Sequence, residues 1–320
     1  MEPIFLEAVC KDYIWGGNQL RERFGKKSTA DRIAESWELA CHKDGSSRIL
    51  NGPDAGKTLT EYLSQHGTAC LGTNCREFDT MPVLIKLIDA KENLSVQVHP
   101  DNAYAQRVEG EPGKTEMWYI VDCEPGASLL YGFQHAITKK EFQTRIAKNT
   151  LLEVTNAVPV HKGDVFFIPS GTLHAIGKGI LIAEIQQNSN TTYRVYDYGR
   201  IADGKPRALH VEKALDVTTL TPLPPTIQYP EQSIPGGTIR KLAACPYFDT
   251  AVLQVETAVT QTVSAESFQH LLVTEGNAVL ETASGSDPLP MGSSVLLPAG
   301  LGTYQIKGTC TCIVTKVNAE

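Results

Sequence analysis

The stretch Gly163-Asp164-Val165-Phe166-Phe167-Ile168-Pro169-Ser170-Gly171-Thr172-Leu173-His174 decides the fold. Its β-branched and aromatic run reads as a strand, and Pro169 and Gly171 end it in a turn that delivers His174. The same frame returns without a gap between Gly292 and Gly308. Gly163 falls on Gly292, Val165 on Ser294, Ile168 on Leu297, Pro169 on Pro298 and Gly171 on Gly300. Glycine, proline and glycine at shared offsets mark one strand–turn–strand geometry used twice. At the place of His174 the second copy has Thr303. The chain is therefore expected to be mainly β, with two jelly-roll or β-barrel modules, the first holding a metal and the second none.

Two strands complete the first module. Leu94-Ser95-Val96-Gln97-Val98-His99-Pro100 alternates, so Ser95, Gln97 and His99 share one face and the aliphatics the other. In Lys114-Thr115-Glu116-Met117-Trp118-Tyr119-Ile120, Lys114, Glu116 and Trp118 share a face. Gln97, His99, Glu116 and His174 together would make a mononuclear metal site facing a barrel interior. Two imidazoles, a carboxylate and an amide oxygen suit zinc, and two histidines with one carboxylate also suit ferrous iron. Such a centre keeps a net positive charge and stays a Lewis acid. Lys114, Arg194 and, close in sequence, Arg200 add to that charge, which invites an anionic ligand such as a phosphate. Between residues 182 and 197, Ile182, Glu184 and Gln186 share one strand face and Thr192, Arg194 and Tyr196 another, with a polar loop between them.

The rest of the chain frames these strands. A length of 320 residues fits one large or two medium domains, and 42% hydrophobic content can fill a sizeable core. The formal charge of −7 argues against a nucleic-acid surface. No apolar run reaches the roughly 20 residues of a membrane span, and the first residues lack the pattern of a signal peptide. A cytoplasmic location and reduced thiols for the eight scattered cysteines follow as expectations. Thr58 and Thr138 are good caps for helices over 59–63 and 138–148, and Val211–Asp216 is a short helical stretch. The proline-rich Thr221-Pro222-Leu223-Pro224-Pro225 suggests a linker or an edge crossing. It divides a metal-binding domain with helical insertions, 1–220, from a metal-free β domain, 221–320.

Taken together, Gln97-Val98-His99-Pro100, Gly113–Tyr119, Pro169–Ala175 and Thr192–Asp197 resemble type I mannose-6-phosphate isomerase, in its short bacterial form. Ile14-Trp15-Gly16-Gly17 and Glu35-Ser36-Trp37-Glu38 resemble that family's N-terminal motifs. The likeness is strong over residues 3–215 and weaker beyond, and the large helical domain of the long forms is missing. The resemblance implies a cupin fold and a zinc-dependent aldose–ketose isomerase, with one zinc ion per chain, acting on mannose 6-phosphate and fructose 6-phosphate through a cis-enediol. It places Gln97, His99, Glu116 and His174 on the zinc ligands. Arg194 falls on the active-site arginine, and Ser95, Lys114 and Glu184 on further active-site positions. In these roles Arg194, Lys114 and Glu184 are catalytic, and Ser95, Lys114 and Arg194 bind substrate. Glu184 and Lys114 are alternative proton carriers. The partner is a small phosphorylated sugar, with neither nucleic acid nor membrane, and the chain is a monomer or homodimer. Two rivals share the same residues: an iron-dependent cupin oxygenase and a non-catalytic sugar-binding cupin.

Overall fold

Residues Gly163 to His174 form the strand Val165–Ile168, a turn and the short strand His174–Ala175 in the computed structural model, which describes residues 1–202 and 204–318. Val165–Ile168 lies antiparallel to Glu116–Cys123, with Ile168 opposite Glu116 and Phe166 opposite Trp118. On its other edge Glu116–Cys123 meets Ile180–Gln187, with Gln186 opposite Glu116 and Glu184 opposite Trp118. A second sheet runs in the order Thr155–Pro159, Ser128–Phe133, His174–Ala175, Val96–Val98, Tyr193–Tyr196. Here Tyr131 stands opposite His174, His174 opposite Gln97, and Gln97 opposite Arg194. Directly opposed residues share a face, so one row carries four polar side chains. The other face buries Val96, Val98, Leu173, Tyr193 and Val195 with Phe142 and Ile146 of the helix Lys139–Ala147.

These strands belong to a compact unit made of Asp12–Gly17 and Ile88–Thr226. The second unit joins Met1–Lys11 and Asn18–Leu87 to the chain from Ile227 onward. Within that unit Ile4 pairs with Leu296 and Phe5 with Val295, while Leu6 pairs with Ile49. Residues 1–87, apart from 12–17, thus fall in the same compact unit as the C-terminal strands. The strand Ile4–Glu7 fills an open edge of the C-terminal sheet, which would otherwise expose unpaired backbone groups.

The echo read from sequence is a repeat of hydrogen bonds. Gly163 N donates to Ile120 O and Gly292 N to Val273 O, both at 2.8 Å. Ile120 N donates to Asp164 O at 2.9 Å, and Val273 N to Ser293 O at 3.0 Å. The turns match too: Thr172 N donates to Pro169 O, Leu301 N to Pro298 O, Gly171 N to His99 O, and Gly300 N to Ser264 O. Gly171 and Gly300 both have positive φ, 86° and 79°, the left-handed conformation that favours glycine. Just as Ile168 faces Glu116, Leu297 faces Gln269. The second copy therefore has Ser264, Gln269 and Thr303 where the first has His99, Glu116 and His174, with no imidazole, thiolate or carboxylate among them.

The protein is mainly β with inserted helices and a C-terminal β module, as expected from the sequence. Thr58 caps Leu59–His66 in a capping box with Glu61, and the Thr138 side chain accepts from Glu141 N at the start of Lys139–Ala147. All eight cysteines are free. No helix of the described residues is long and apolar enough to cross a membrane.

Candidate metal centre

The two sheets of the Ile88–Thr226 unit bring His99, Glu116 and His174 together, all fully buried, with one ligand atom of each within 4.8 Å of the others. His99 Nε2 is 3.6 Å from Glu116 Oε2, and His174 Nε2 is 3.4 Å from Glu116 Oε1. Each imidazole is oriented from behind. His99 Nδ1 donates to Thr191 O at 2.8 Å and His174 Nδ1 to Thr172 O at 2.9 Å. A proton held on Nδ1 leaves Nε2 as a lone pair aimed at Glu116, the arrangement that metal-binding histidines use. Burial, reinforced by the charge of Lys114, lowers the His174 pKa to about 4, although its carbonyl bond and Glu184 oppose the shift. A neutral imidazole is the form that binds metal. Two nitrogen donors and one carboxylate, dry and preoriented, fit a divalent ion.

Positive charge is built in around this group. Lys114 is buried with Nζ 3.0 Å from Glu116 Oε2. Its position depends on Gly113, where a Cβ would lie 2.4 Å from Asp101 C and 2.5 Å from Asn102 N. That close approach holds the start of the Glu116 strand against the chain just past His99, and Lys114 N donates to Pro100 O. Arg194 reaches the site through a chain of contacts. Its Nε donates to Ser95 Oγ at 3.2 Å, Ser95 Oγ to Gln97 Oε1 at 3.4 Å, and Gln97 Nε2 lies 3.5 Å from His174 Nε2. Burial lowers the Arg194 pKa, with Arg207 and Arg200 acting in the same sense and Asp197 against them. Asp197 in turn holds Arg200 and Arg207 in ion pairs.

Every candidate site residue named from the sequence lies in this unit. Ser95, Gln97, His99, Lys114, Glu116, His174 and Arg194 form one connected cluster. Gln97 presents its amide nitrogen to His174 and its oxygen to Ser95, so acting as a ligand requires a half-turn of the amide. Glu184 is joined less directly, its Oε1 accepting from Trp118 Nε1 at 3.0 Å while the Trp118 ring packs edge-on against His174 at 5.3 Å. Sequence reasoning missed the roles of Trp118, Asp197, Arg207 and the Thr172 and Thr191 carbonyls. Trp118 had a signal, since it shares a strand face with Lys114 and Glu116. The others act through backbone or through contacts that no local pattern records.

A β-barrel frame with a buried His–Glu–His group defines the class, a cupin with a metal-competent centre. Residues 4–121 match the family model "Phosphomannose isomerase type I, catalytic domain", and residues 238–317 match "Mannose-6-phosphate isomerase, cupin domain". Among similar proteins of Bacillus subtilis, the putative mannose-6-phosphate isomerase YvyI is 40% identical over 317 residues, covering 98% of this chain and 99% of its own. Mannose-6-phosphate isomerase ManA is 40% identical over 316 residues, 98% of each chain. The crystal structure of the mannose 6-phosphate isomerase from that organism superposes with a TM-score of 0.93 at 40% identity, over 98% of this chain and 99% of that one. The chain belongs to the type I phosphomannose isomerase family of enzymes.

Proposed function

We propose that this enzyme interconverts mannose 6-phosphate and fructose 6-phosphate, using one zinc ion per chain and a cis-enediol intermediate. The observation that carries the reading is the buried His99–Glu116–His174 group flanked by Lys114 and Arg194 in a chain of this family. His99, Glu116 and His174, with Gln97 as a fourth candidate, would hold the ion, which supplies Lewis-acid polarisation of a substrate oxygen. The reaction moves a proton from C2 to C1 and shifts the carbonyl the other way, with no net redox. Negative charge develops on the C1 and C2 oxygens in between, and Arg194 and Lys114 bring fixed positive charge to that region. Ser95 orients Arg194 by accepting from its Nε.

Two groups are candidates for carrying the proton. Glu184 is held by Trp118 on the same sheet as Glu116, and Lys114 sits beside Glu116 itself. Exchange of the C2 hydrogen with solvent distinguishes them: the variant of the true carrier, Glu184→Gln or Lys114→Met, loses exchange while substrate still binds. The functional division at residue 220, metal-binding before it and metal-free after, is part of the same proposal.

The test is a coupled assay for fructose 6-phosphate formation, run with chelator and with zinc added back. Turnover abolished by chelation and restored by zinc is the expected result. Oxygen-dependent turnover with iron would favour the oxygenase, and sugar binding without C2 exchange the non-catalytic cupin. Either outcome overturns the reading.

A further inference from the structure

The C-terminal β module has a cavity of its own, of about 370 Å³, on the face where Gln269 takes the place of Glu116. That size lies within the range of about 300–1,000 Å³ typical of small-molecule sites. Strand register sets its chemistry. Ile239 pairs with Leu253, Lys241 with Ala251, Ala251 with Val314, and Asp249 with Lys316. Opposed residues share a face, so Ile239, Leu253 and Val314 make an apolar floor, with Lys241, Asp249 and Lys316 above it.

The charge there is positive and only loosely compensated. Lys241 Nζ is 3.6 Å from Asp249 Oδ1 and Lys316 Nζ is 3.7 Å from Asp249 Oδ2, both beyond hydrogen-bond distance. Asp249 is fixed instead by Asn318, whose Nδ2 donates to Oδ2 at 2.8 Å. Two ammonium groups therefore share one carboxylate and leave a net positive charge. Around them stand groups suited to hydroxyls. The Gln269 amide is oriented by Tyr304 Oη and Thr262 O, and Gln261 also lines the cavity. Tyr229, with Lys241 Nζ 5.6 Å from its ring centre, forms one wall.

We propose that this cavity is a second ligand site, for a small monophosphorylated sugar or polyol, with Lys241 and Lys316 holding the phosphate. The apolar floor and Tyr229 take the carbon face of the ligand, and the amides take its hydroxyls. The proposal does not depend on the isomerase reading, because the site has its own residues and its own readout.

The test is equilibrium dialysis with radiolabelled glucose 6-phosphate, on the full chain. Arg194→Ala removes a contact from the metal centre, and Lys241→Met/Lys316→Met removes both ammonium groups from the cavity. One equivalent of label is expected to persist in Arg194→Ala. In the lysine pair variant it weakens by roughly tenfold or more, as the loss of charge-assisted hydrogen bonds implies. Inorganic phosphate is expected to displace it and neutral glucose not. An unchanged melting temperature and turnover show that the lysine variant is folded. Full binding by that variant, no binding by Arg194→Ala, or displacement by glucose as effective as by phosphate would each overturn the proposal.

Discussion

Replacing Lys114 by methionine tests the electrostatics of the metal centre directly. Lys114 Nζ lies 3.0 Å from Glu116 Oε2, with both residues buried. At an effective dielectric near 20, that separation corresponds to an attraction of about 5 kcal/mol before desolvation is counted. Removing one partner of a buried pair strands the other charge, which destabilises by about 3–5 kcal/mol. Without metal, Lys114→Met should therefore lose about that much stability, measured by urea unfolding in excess chelator. Zinc should reverse the effect, because Glu116 then has a cation beside it whether or not Lys114 is present. Zinc affinity itself should rise, by roughly tenfold, since a positive charge beside the ligand oxygen has gone.

A double variant isolates the pair. Lys114→Met/Glu116→Gln removes both charges and should regain most of the stability lost without metal, while binding zinc poorly. Chelator competition gives the zinc affinities. If the metal-free Lys114→Met protein unfolds within about 0.5 kcal/mol of the wild type, or binds zinc more weakly, the charge argument fails.

Three further outcomes are expected. Arg194→Ala should lower kcat/KM by roughly 100- to 1,000-fold, with Arg194→Lys recovering part of it, because a fixed donor near developing oxyanion charge is lost; steady-state kinetics check this. Gly113→Ala should depress zinc affinity and turnover together, since the new Cβ would push the start of the strand, and with it the Glu116 carboxylate, out of line with His99 and His174; a zinc titration alongside the assay measures both. Buried His270 donates from Nε2 to Ser294 Oγ, and burial lowers its pKa to about 3. Its neutral form contributes stability that is full above the unfolded value near 6.5 and is lost as pH falls toward 3. Wild type should thus lose roughly 1.4 kcal/mol per pH unit more than His270→Gln between pH 6 and 4, read from urea unfolding in chelator.

What could be read from the sequence was set by how local each signal is. The candidate site residues were legible because strand alternation puts Ser95, Gln97 and His99 on one face and Lys114, Glu116 and Trp118 on another. The caps at Thr58 and Thr138 were legible because capping spans four residues. The helix Asn102–Val108 was missed, its only strong mark being the Asp101 cap directly after Pro100, with little apolar periodicity behind it. The pairing of Ile4 with Leu296 was out of reach, since an edge strand can complete many sheets and only tertiary packing chooses one.

The repeat shows where this boundary lies. Offsets of glycine and proline identified the second turn and the exchange of His174 for Thr303. The exchanges of His99 for Ser264 and Glu116 for Gln269 needed the hydrogen-bond register, because the chain between those positions and the shared turn differs in length and breaks any gapless alignment. A turn is fixed by the conformations of a few residues, so it survives when loops change. A binding site is assembled from several strands, so its loss or replacement becomes visible only once their register is known. In this chain the same register that brings His99, Glu116 and His174 to one point leaves a glutamine, two lysines and an open cavity in the second module. The duplicated frame is thus conserved by backbone geometry, and its chemistry is free to diverge at the positions that frame presents.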